Sequence, residues 1–285
     1  MEPIAVTGAG GQLGSELCRQ LGQRAIPLDR SRLDITDRQA VRRLLSELNP
    51  AILINSAAYT QVDRAEDEVD RCRQVNVDAV GYLAEWCAAA DAKLVQISTD
   101  YVFANQDSRD RPWTEEDLPQ PNSVYSQSKR DGELAAVICP QHLIVRTCGL
   151  YGLVRDGRPG SNFVETMLRL AQTRPLLRVV NDQHCTPSYT GHLAEAVLFL
   201  AQSDAQGSYH VTHSGATTWH GFAAEIFKQA GIEVELEPIT TEQFGAPAAR
   251  PRYSVLDCSK YQALGGPELP EWQQGLEEYL RVRTG

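Results

Sequence analysis

The sequence predicts an α/β protein, in which a doubly wound parallel β-sheet with helices on both faces is followed by a smaller domain. Short apolar runs alternate with amphipathic helical patterns from the first residues onward, as is typical of parallel sheets. The apolar runs are nearly continuous, which indicates strands buried on both faces. A glycine-rich turn joins the first run to the first helix, at the kind of junction where such sheets bind ligands.

The first half of the chain alternates strand and helix. Apolar runs predict strands at residues 4–6, 25–29, 51–55, 93–98 and 142–146. Helical patterns fill residues 15–21, 69–90 and 126–137, and a further helix ends at Leu48. Thr36 or Asp37 can cap that further helix, and Ser123 can cap the helix of residues 126–137.

The pattern changes after about residue 151, where a loop rich in Gly, Arg and Pro begins. Helices are predicted at residues 162–173, 191–202, 219–230 and 268–283, and strands at residues 177–180, 208–212 and 234–237. We therefore predict two interleaved domains. Residues 1–150, with returning segments around 177–212, form the larger domain, and residues 151–176 and 213–285 form the smaller one.

Composition and charge narrow the class of partner. The 285 residues carry a net charge of −10 with no block of Lys or Arg, which argues against nucleic acid or an anionic membrane as the main partner. No run of about 18 apolar residues occurs, so we expect no membrane span. The chain begins with a strand-like run rather than a signal peptide. Its seven cysteines form no Cys-x-x-Cys pair, which predicts free thiols in a reducing cytoplasm.

Three glycines, Gly8, Gly11 and Gly14, follow the first strand and open the first helix, with Gln12 and Leu13 between them. Glycines let the backbone approach a pyrophosphate, and a helix N-terminus supplies N–H donors and a partial positive charge. The larger domain is therefore predicted to be a Rossmann-type domain that binds NAD(P) through these five residues. The alternative is a glycine-rich turn without a ligand.

Two neighbouring residues at the end of the second strand favour different forms of the cofactor. Asp29 lies about 20 residues after the glycines, where a carboxylate accepts hydrogen bonds from the adenosine ribose. Arg30 can instead bind the 2′-phosphate of NADPH. The choice between NADH and NADPH therefore stays open. Asp34 and Ile35, in the following loop, are expected to border the adenine, although Asp34 can equally serve as a helix cap.

Small and polar residues follow the third and fourth strands. Ala57, Ala58 and Tyr59 come after the third strand, where small side chains let a cofactor lie close to the backbone. Thr99 ends the fourth strand. Because the carboxyl ends of parallel strands border one crevice, Thr99 should face the same crevice as the glycines.

Tyr125 and Lys129 lie four residues apart and therefore on one face of a helix. An ammonium group beside a phenol favours the phenolate, so Lys129 is expected to lower the pKa of Tyr125. Such pairs occur by chance on many surface helices. Packing of this helix beside the strand that ends at Thr99 would bring all three side chains into the crevice, and we interpret Thr99, Tyr125 and Lys129 as catalytic.

Together these residues resemble the extended short-chain dehydrogenase/reductase family, which shares Thr-Gly-x-x-Gly-x-x-Gly at residues 7–14, the Ser/Thr at Thr99 and Tyr125-x-x-x-Lys129. The chain is most similar to the sugar-nucleotide branch that contains dTDP-4-dehydrorhamnose reductase. The matching stretches are residues 11–14, 33–37, 55–66, 98–103, 162–171, 181–183, 187–188 and 250–254. The resemblance thus covers nearly the whole chain.

The resemblance implies an NAD(P)H-dependent reduction of a 4-keto-6-deoxyhexose on a dTDP carrier. In this interpretation Thr99 hydrogen-bonds the keto oxygen and Tyr125 protonates it as hydride arrives. Lys129 binds the nicotinamide ribose and lowers the pKa of the tyrosine. The residues implied to contact the nucleotide sugar are Thr99, Asp100, Tyr101, Val102, Asn162, Gln183 and Arg250.

The phosphates of the carrier have their own candidates among these residues. Asn162 and Arg250, together with Arg252, carry the donors that would bind them. Their alternative role is ordinary loop structure. Relatives can use a bound Mg²⁺ for assembly, which makes a homodimer a candidate assembly, but no cluster of ligands in the sequence places this ion.

Two departures from the family pattern leave the identity of the sugar open. Cys148-Gly149 stand where the reductases show Ser-Trp, so the aromatic residue expected beside the sugar is a glycine. Ala104-Asn105 stand where the reductases show Asp-Gly.

Three other functions within the family are alternatives to reduction. Dehydratases show Thr-Asp-Glu at this strand end, whereas Tyr101 follows Asp100 here, which argues against dehydration. The second alternative is an epimerase that retains NAD. The third is a non-catalytic nucleotide-binding subunit, similar to the regulatory subunit of methionine adenosyltransferase. The complete set of Thr99, Tyr125 and Lys129 argues against the non-catalytic subunit.

Overall fold

A parallel sheet of six strands forms the centre of the protein in this computed structural model, which describes residues 3–104, 109–154 and 157–283. The strands are β1 (Ile4–Thr7), β2 (Ala25–Leu28), β3 (Ile52–Asn55), β4 (Lys93–Thr99), β5 (His142–Thr147), β6 (Leu150–Tyr151), β7 (Leu176–Val180), β8 (His184–Cys185), β9 (Ser188–Tyr189), β10 (Gly207–His210), β11 (Thr217–Thr218) and β12 (Glu235–Ile239). The helices are α1 (Gln12–Leu21), α2 (Arg38–Leu48), α3 (Val69–Arg73), α4 (Ala79–Ala90), α5 (Val124–Ala136), α6 (Phe163–Ala171), α7 (Thr190–Gln202), α8 (Trp219–Ala230), α9 (Thr241–Phe244), α10 (Ser259–Gln262) and α11 (Trp272–Val282). Asn105 lies outside the described residues.

The central sheet runs in the order β10-β5-β4-β3-β1-β2, and all neighbouring strands are parallel. Successive residues of a strand point to opposite faces, and both faces are apolar here. Val6, Ile54 and Val95 pack with α1 and α7, whereas Leu53 and Leu94 pack with α2 and α4. Burial on both faces explains the continuous apolar runs in the sequence, and the predicted doubly wound fold is confirmed.

The strand order reverses at β1. From β1 the chain passes first to β2 on one side and then to β3, β4 and β5 on the other. In an open α/β sheet, the carboxyl ends of the strands at such a switch point border the ligand crevice. Thr7 ends β1 opposite Asn55 of β3, and the Thr7 hydroxyl donates to Asn55 Oδ1 at 2.5 Å.

A second core lies outside the central sheet. Helices α6, α8 and α11 bury apolar residues around Phe222 and Tyr279. Segments around residues 177–212 were predicted to return to the central sheet. Two of them do, because α7 packs on the sheet and β10 pairs with β5. Strand β7 does not, because it pairs with β12 and its residues alternate between exposed and buried, as in a strand that is covered on one face only.

Within the described ranges, no helix combines the length and the apolar character that a membrane span needs.

Candidate active site

A cavity of about 1090 Å³ lies over the carboxyl ends of the central strands. It brings together most of the residues predicted from the sequence, namely Gly8, Gly11, Gln12, Leu13, Gly14, Arg30, Asp34, Ile35, Ala57, Ala58, Tyr59, Thr99, Asp100, Tyr101, Tyr125 and Lys129. The predicted residues that do not line it are Asp29, Val102, Asn162, Gln183 and Arg250. Its volume exceeds that of a pocket for one small ligand, which suits a cofactor and a substrate side by side.

The glycine turn forms a cradle at one end of the cavity. Gly8 adopts φ +67°, and a Cβ there would lie 2.6 Å from the backbone nitrogen of Ala57. A Cβ on Gly14 would overlap the carbonyl oxygen of Gly8. Gly11 precedes α1 and no side chain caps this helix, so its first N–H groups can bind an anion. The cradle therefore fits the pyrophosphate of a dinucleotide.

The carboxylate of Asp29 does not face the cavity. Its Oδ1 accepts hydrogen bonds from Ser31 N at 3.0 Å, Ser31 Oγ at 2.6 Å and Arg32 N at 3.1 Å, because an aspartate at a strand end readily closes a turn on itself. Arg30 lines the cavity instead, with its side chain 72% exposed and its Nη2 4.0 Å from Asp34. Asp29 therefore uses this oxygen within its own turn, and the ribose contact expected of it stays a prediction.

Thr99 and Tyr125 meet at the end of β4. The Tyr125 hydroxyl lies close to the Thr99 side chain. Thr99 Oγ1 donates to Asp100 Oδ1 at 3.0 Å and accepts from Tyr101 N at 3.2 Å. Burial raises the pKa of Tyr125 and outweighs the lowering effect of the nearby Thr99 side chain, so the phenol is protonated at neutral pH. A buried, protonated phenol can act as a proton donor.

Lys129 is buried one helical turn from Tyr125, and its Nζ donates to the carbonyl oxygen of Ile97 at 2.7 Å. Burial lowers its pKa to about 8. The prediction that Lys129 lowers the pKa of Tyr125 is wrong for this structure, because loss of solvent around the phenol dominates and raises that pKa. The spacing of Tyr125 and Lys129 in the sequence indicates that they are close, but the sequence does not show how deeply the Tyr125 phenol is buried.

Lys129→Met is expected to stabilise the fold by about 1–3 kcal/mol at pH 7, because it removes a buried cation. The Ile97 oxygen keeps a donor in Gln96 Nε2 at 2.8 Å. The folded pKa of about 8 lies below the ordinary 10.5, so the wild type gains stability as the pH rises between these values. The difference in the free energy of unfolding between Lys129→Met and the wild type should therefore be smaller at pH 10 than at pH 7, as measured by denaturant unfolding.

The matched control for this substitution is Lys260→Met. Lys260 Nζ also donates to a backbone oxygen, that of Ser208 at 2.8 Å, but the amine is exposed. This variant should show no gain at pH 7. A Lys129→Met protein that is less stable than the wild type at pH 7 would contradict the description of Lys129 as a costly buried cation.

A buried ion pair fixes α5, the helix that carries Tyr125 and Lys129. Glu133 Oε1 accepts from Ser98 Oγ at 2.6 Å and from Arg146 Nε at 2.8 Å, and its Oε2 accepts from Arg146 Nη2 at 2.8 Å. Burial alone would raise the pKa of Glu133, but the hydrogen bonds and charge of Arg146 outweigh it and lower that pKa. These contacts join α5 to β4 and β5.

A π-helical segment, Gln74–Asp78, interrupts the helix predicted at residues 69–90. Asn76 within it accepts from Tyr59 N at 2.9 Å and donates to Ser128 Oγ at 2.9 Å. A Cβ on Gly132 would overlap the carbonyl oxygen of Asn76, so α5 packs directly on this segment. Asn76 thus links the cavity wall at Tyr59 to the catalytic helix, and only a break in the helical period could have revealed it.

Two predicted substrate residues belong to the protein interior. Val102 is fully buried in an apolar cluster beside the cavity. Gln183 is also buried, and its Nε2 donates to Thr241 Oγ1 at 3.1 Å. Arg252, a candidate for the phosphates, pairs with Asp182 at 2.8 Å and also with Glu242. Their predicted contacts with substrate are not supported by these positions.

Asn162 and Arg250 also bind protein groups. Asn162 Oδ1 caps α6 by accepting from Glu165 N at 3.0 Å, and its Nδ2 donates to Gln12 Oε1 at 2.8 Å. Arg250 Nη2 donates to Asp63 Oδ2 at 2.8 Å. The loop roles considered for these residues therefore describe this structure better than phosphate binding. Asn162 still supports the cavity indirectly, because it orients Gln12.

The sequence reasoning missed Thr147, which ends β5. Its Oγ1 is buried and, within the described residues, has no hydrogen-bond partner although Thr147 lines the cavity. Asp100 Oδ2 is also buried and has no hydrogen-bond partner within the described residues. The Cys148 thiol and the Ser254 hydroxyl lie nearby, but outside hydrogen-bonding geometry. Both oxygens can bind hydroxyl groups of a ligand. Position at the carboxyl end of a central strand was the available signal for Thr147.

Across the part of the chain that the structure describes, no group of three or more His, Cys, Asp or Glu residues is arranged to hold a metal ion. These residues therefore give no position for the Mg²⁺ that the resemblance suggested.

The fold and the cavity define a dinucleotide-dependent oxidoreductase of the extended short-chain dehydrogenase/reductase class. Comparison with known proteins narrows this class. The family described as the RmlD substrate binding domain matches residues 1–284. The chain belongs to this family, as the sequence motifs predicted.

Relatives match the chain over its full length. The spore coat polysaccharide biosynthesis protein SpsK of Bacillus subtilis is 42% identical, and the match covers 100% of this chain and 99% of the relative. The dTDP-4-dehydrorhamnose reductase of Streptomyces griseus is 41% identical over 98% of this chain and 93% of its own. A crystal structure of dTDP-4-dehydrorhamnose reductase from Bacillus anthracis in complex with NADP has 38% identity and a TM-score of 0.92, covering 98% of this chain and 99% of that chain.

Proposed function

We propose that this protein reduces the 4-keto group of dTDP-4-dehydrorhamnose with NADPH. One observation carries the proposal: the protonated Tyr125 hydroxyl meets Thr99 in the cavity that begins at the glycine cradle. The full-length relatives named dTDP-4-dehydrorhamnose reductase support the choice of substrate.

The chemistry follows from the groups around the keto oxygen. When bound, the cofactor supplies the hydride that reaches the carbonyl carbon. Tyr125 donates its proton to the oxygen as negative charge develops there, so that no free alkoxide forms. Lys129 lines the same cavity one helical turn from Tyr125, and we propose that it contacts the ribose of the cofactor.

Thr99 can supply a second hydrogen bond to the keto oxygen, provided that its hydrogen is available. In the structure this hydrogen points to Asp100 Oδ1. Rotation of the Thr99 hydroxyl would turn this hydrogen from Asp100 Oδ1 to the keto oxygen.

Arg30 is proposed to bind the 2′-phosphate of NADPH. Its side chain is exposed at the rim of the cavity, whereas the Asp29 carboxylate is engaged in its own turn. Arg30→Ala should raise the KM for NADPH by about 10- to 100-fold, the effect of one charge-assisted hydrogen bond, and leave the KM for NADH unchanged. Steady-state kinetics with both cofactors measure this.

Arg32→Ala is the matched control. Arg32 is two residues away and its Nη1 donates to the Pro27 carbonyl oxygen at 3.0 Å, but it does not line the cavity. It should leave both KM values unchanged. An equal rise in the KM for NADH and NADPH in Arg30→Ala would refute the assignment of Arg30 to the 2′-phosphate.

We also propose different roles for the central sheet and the second core. The central sheet, with its helices and the returning α7 and β10, would bind the dinucleotide, and the second core around α6, α8 and α11 would close the substrate end of the cavity. Support comes from the residues that line the cavity, since they come both from the central sheet, as Gly8 and Gly14 do, and from the second core, as Trp219 does.

All seven cysteines are present as thiols rather than disulfides, as is common in the reducing cytoplasm, and we propose that the enzyme works there. The homodimer stays a prediction, which size-exclusion chromatography with light scattering tests.

A panel of dTDP-, UDP- and GDP-linked 4-keto sugars, each assayed with NADH and NADPH, tests the proposed function. Oxidation of NADPH with dTDP-4-dehydrorhamnose is expected to be the fastest reaction. An epimerase would instead show bound cofactor in the absorbance spectrum of the purified protein and no net oxidation. A non-catalytic subunit would bind the cofactor and oxidise it with none of the sugars.

A further inference from the structure

Gly149 lines the cavity where the chain has little space for a side chain. Its φ of +55° lies in the left-handed region, which other residues rarely adopt. A Cβ there would lie 3.2 Å from Pro187 Cα, which is a tight contact, and 3.5 Å from Trp219 Cη2, which is an ordinary van der Waals contact. Residue 149 and the edge of the Trp219 indole are therefore neighbours in the cavity wall, and a larger side chain at residue 149 would compete with the indole for space.

Trp219 is held rigidly from another element. It is the first residue of α8, whose N-cap Thr218 accepts a hydrogen bond from Gly221 N. Its indole packs on Phe163 with ring centroids 4.8 Å apart and on Phe222 at 6.4 Å. Phe163 in turn stacks on Phe222 with centroids 5.6 Å apart and an interplanar angle of 16°. A fixed aromatic group thus lines the same cavity as Tyr125.

We propose that Trp219 is the aromatic wall against which the deoxysugar of the substrate packs, and that Gly149 makes room for it. The inference rests on the proposed function and extends it to the residue that selects the sugar. The aromatic group expected at residue 149 is thereby supplied from α8, a different part of the chain.

The chemistry of the ligand fits this surface. A 6-deoxyhexose carries a methyl group in place of the CH₂OH group of a hexose, and its ring also presents axial C–H bonds. These apolar groups can pack against an indole, and water is then released from the sugar and from the indole. The polar side of the same sugar can meet Asp100 Oδ2 and Thr147 Oγ1, the two buried oxygens that lack partners within the described residues. An apolar wall opposite polar groups would orient the ring and place its keto carbon.

Trp219→Ala should raise the KM for dTDP-4-dehydrorhamnose by about 10- to 100-fold, the range for loss of an apolar pocket contact, and leave the KM for NADPH within about twofold. Trp219→Phe should restore most of the affinity, because it keeps an aromatic face. Trp86→Phe is the control: it removes a buried indole of α4 that does not line the cavity, so it should leave the KM for the sugar unchanged.

A fluorescence titration with dTDP-rhamnose tests the contact without turnover. Tryptophan emission of the wild type should be quenched on binding, and this quenching should be lost in Trp219→Phe although binding persists by calorimetry. Quenching that persists in Trp219→Phe, or an unchanged sugar KM in Trp219→Ala, would overturn the inference. Absence of turnover in the wild type would overturn the proposed function instead, and the titration would still decide the role of Trp219.

Discussion

Tyr125→Phe is expected to lower kcat for reduction of dTDP-4-dehydrorhamnose by about 10²- to 10⁴-fold, the contribution of a positioned general acid. The variant keeps the ring that packs edge-on against Tyr101, with centroids 6.0 Å apart, and loses only the hydroxyl beside Thr99. Affinity for NADPH should therefore stay within about twofold of the wild type. Single-turnover kinetics and a fluorescence titration with NADPH measure the two quantities separately.

Tyr151→Phe is the matched control for this loss. Tyr151 is also buried, but it does not line the cavity, and its hydroxyl has no hydrogen-bond partner within the described residues. Removing that hydroxyl should leave kcat unchanged. If Tyr125→Phe kept the wild-type kcat for the chemical step, Tyr125 would not be the proton donor.

Glu133→Gln is expected to lower the free energy of unfolding by about 3–5 kcal/mol, because it leaves the Arg146 guanidinium buried without its counter-charge. The side chains of Glu133 and Arg146 are 0% and 3% exposed. The same change should lower activity, since this pair joins the helix of Tyr125 to β4 and β5. Urea unfolding at pH 7 measures the stability of both proteins.

The pH dependence of this effect has a definite sign. The pKa of Glu133 is lowered in the fold from its ordinary value of 4.5, so its contribution is complete above pH 4.5 and is lost as the pH falls through the folded pKa. The difference in the free energy of unfolding between the wild type and Glu133→Gln should therefore become smaller as the pH falls below 4.5. Glu85→Gln, which removes the exposed pair with Arg38, should cost less than about 1 kcal/mol. A Glu133→Gln loss as small as that of Glu85→Gln would contradict the buried-pair description.

Most of the fold was predictable because its signals are local. A strand buried on both faces is mostly apolar, as Ile4, Ala5 and Val6 of β1 are, and this pattern is visible without any structure. The glycines and the four-residue spacing of Tyr125 and Lys129 are local signals too, and they predicted residues that line the cavity. Family membership followed from these motifs and is confirmed by the match to the RmlD substrate binding domain.

The errors concern properties that depend on surroundings. The pKa of Tyr125 is raised because the phenol is buried, and burial depends on the packed structure. Asp29 closes a turn instead of facing the cavity. Thr147 reaches the site from the carboxyl end of β5, and its position after a predicted strand was the available signal. Asn76 reaches the site through a π-helical segment, which only a break in the helical period could have revealed.

The destination of the hydride tests the central proposal most directly. Wild-type protein would be incubated with dTDP-4-dehydrorhamnose and NADPH deuterated at the transferable position, and the sugar product examined by proton NMR. The proposed function predicts one equivalent of NADP⁺ and a product with deuterium at C4 of the sugar in a single configuration. Unchanged keto sugar, or an epimerised keto sugar without deuterium at C4 and without oxidation of NADPH, would contradict it.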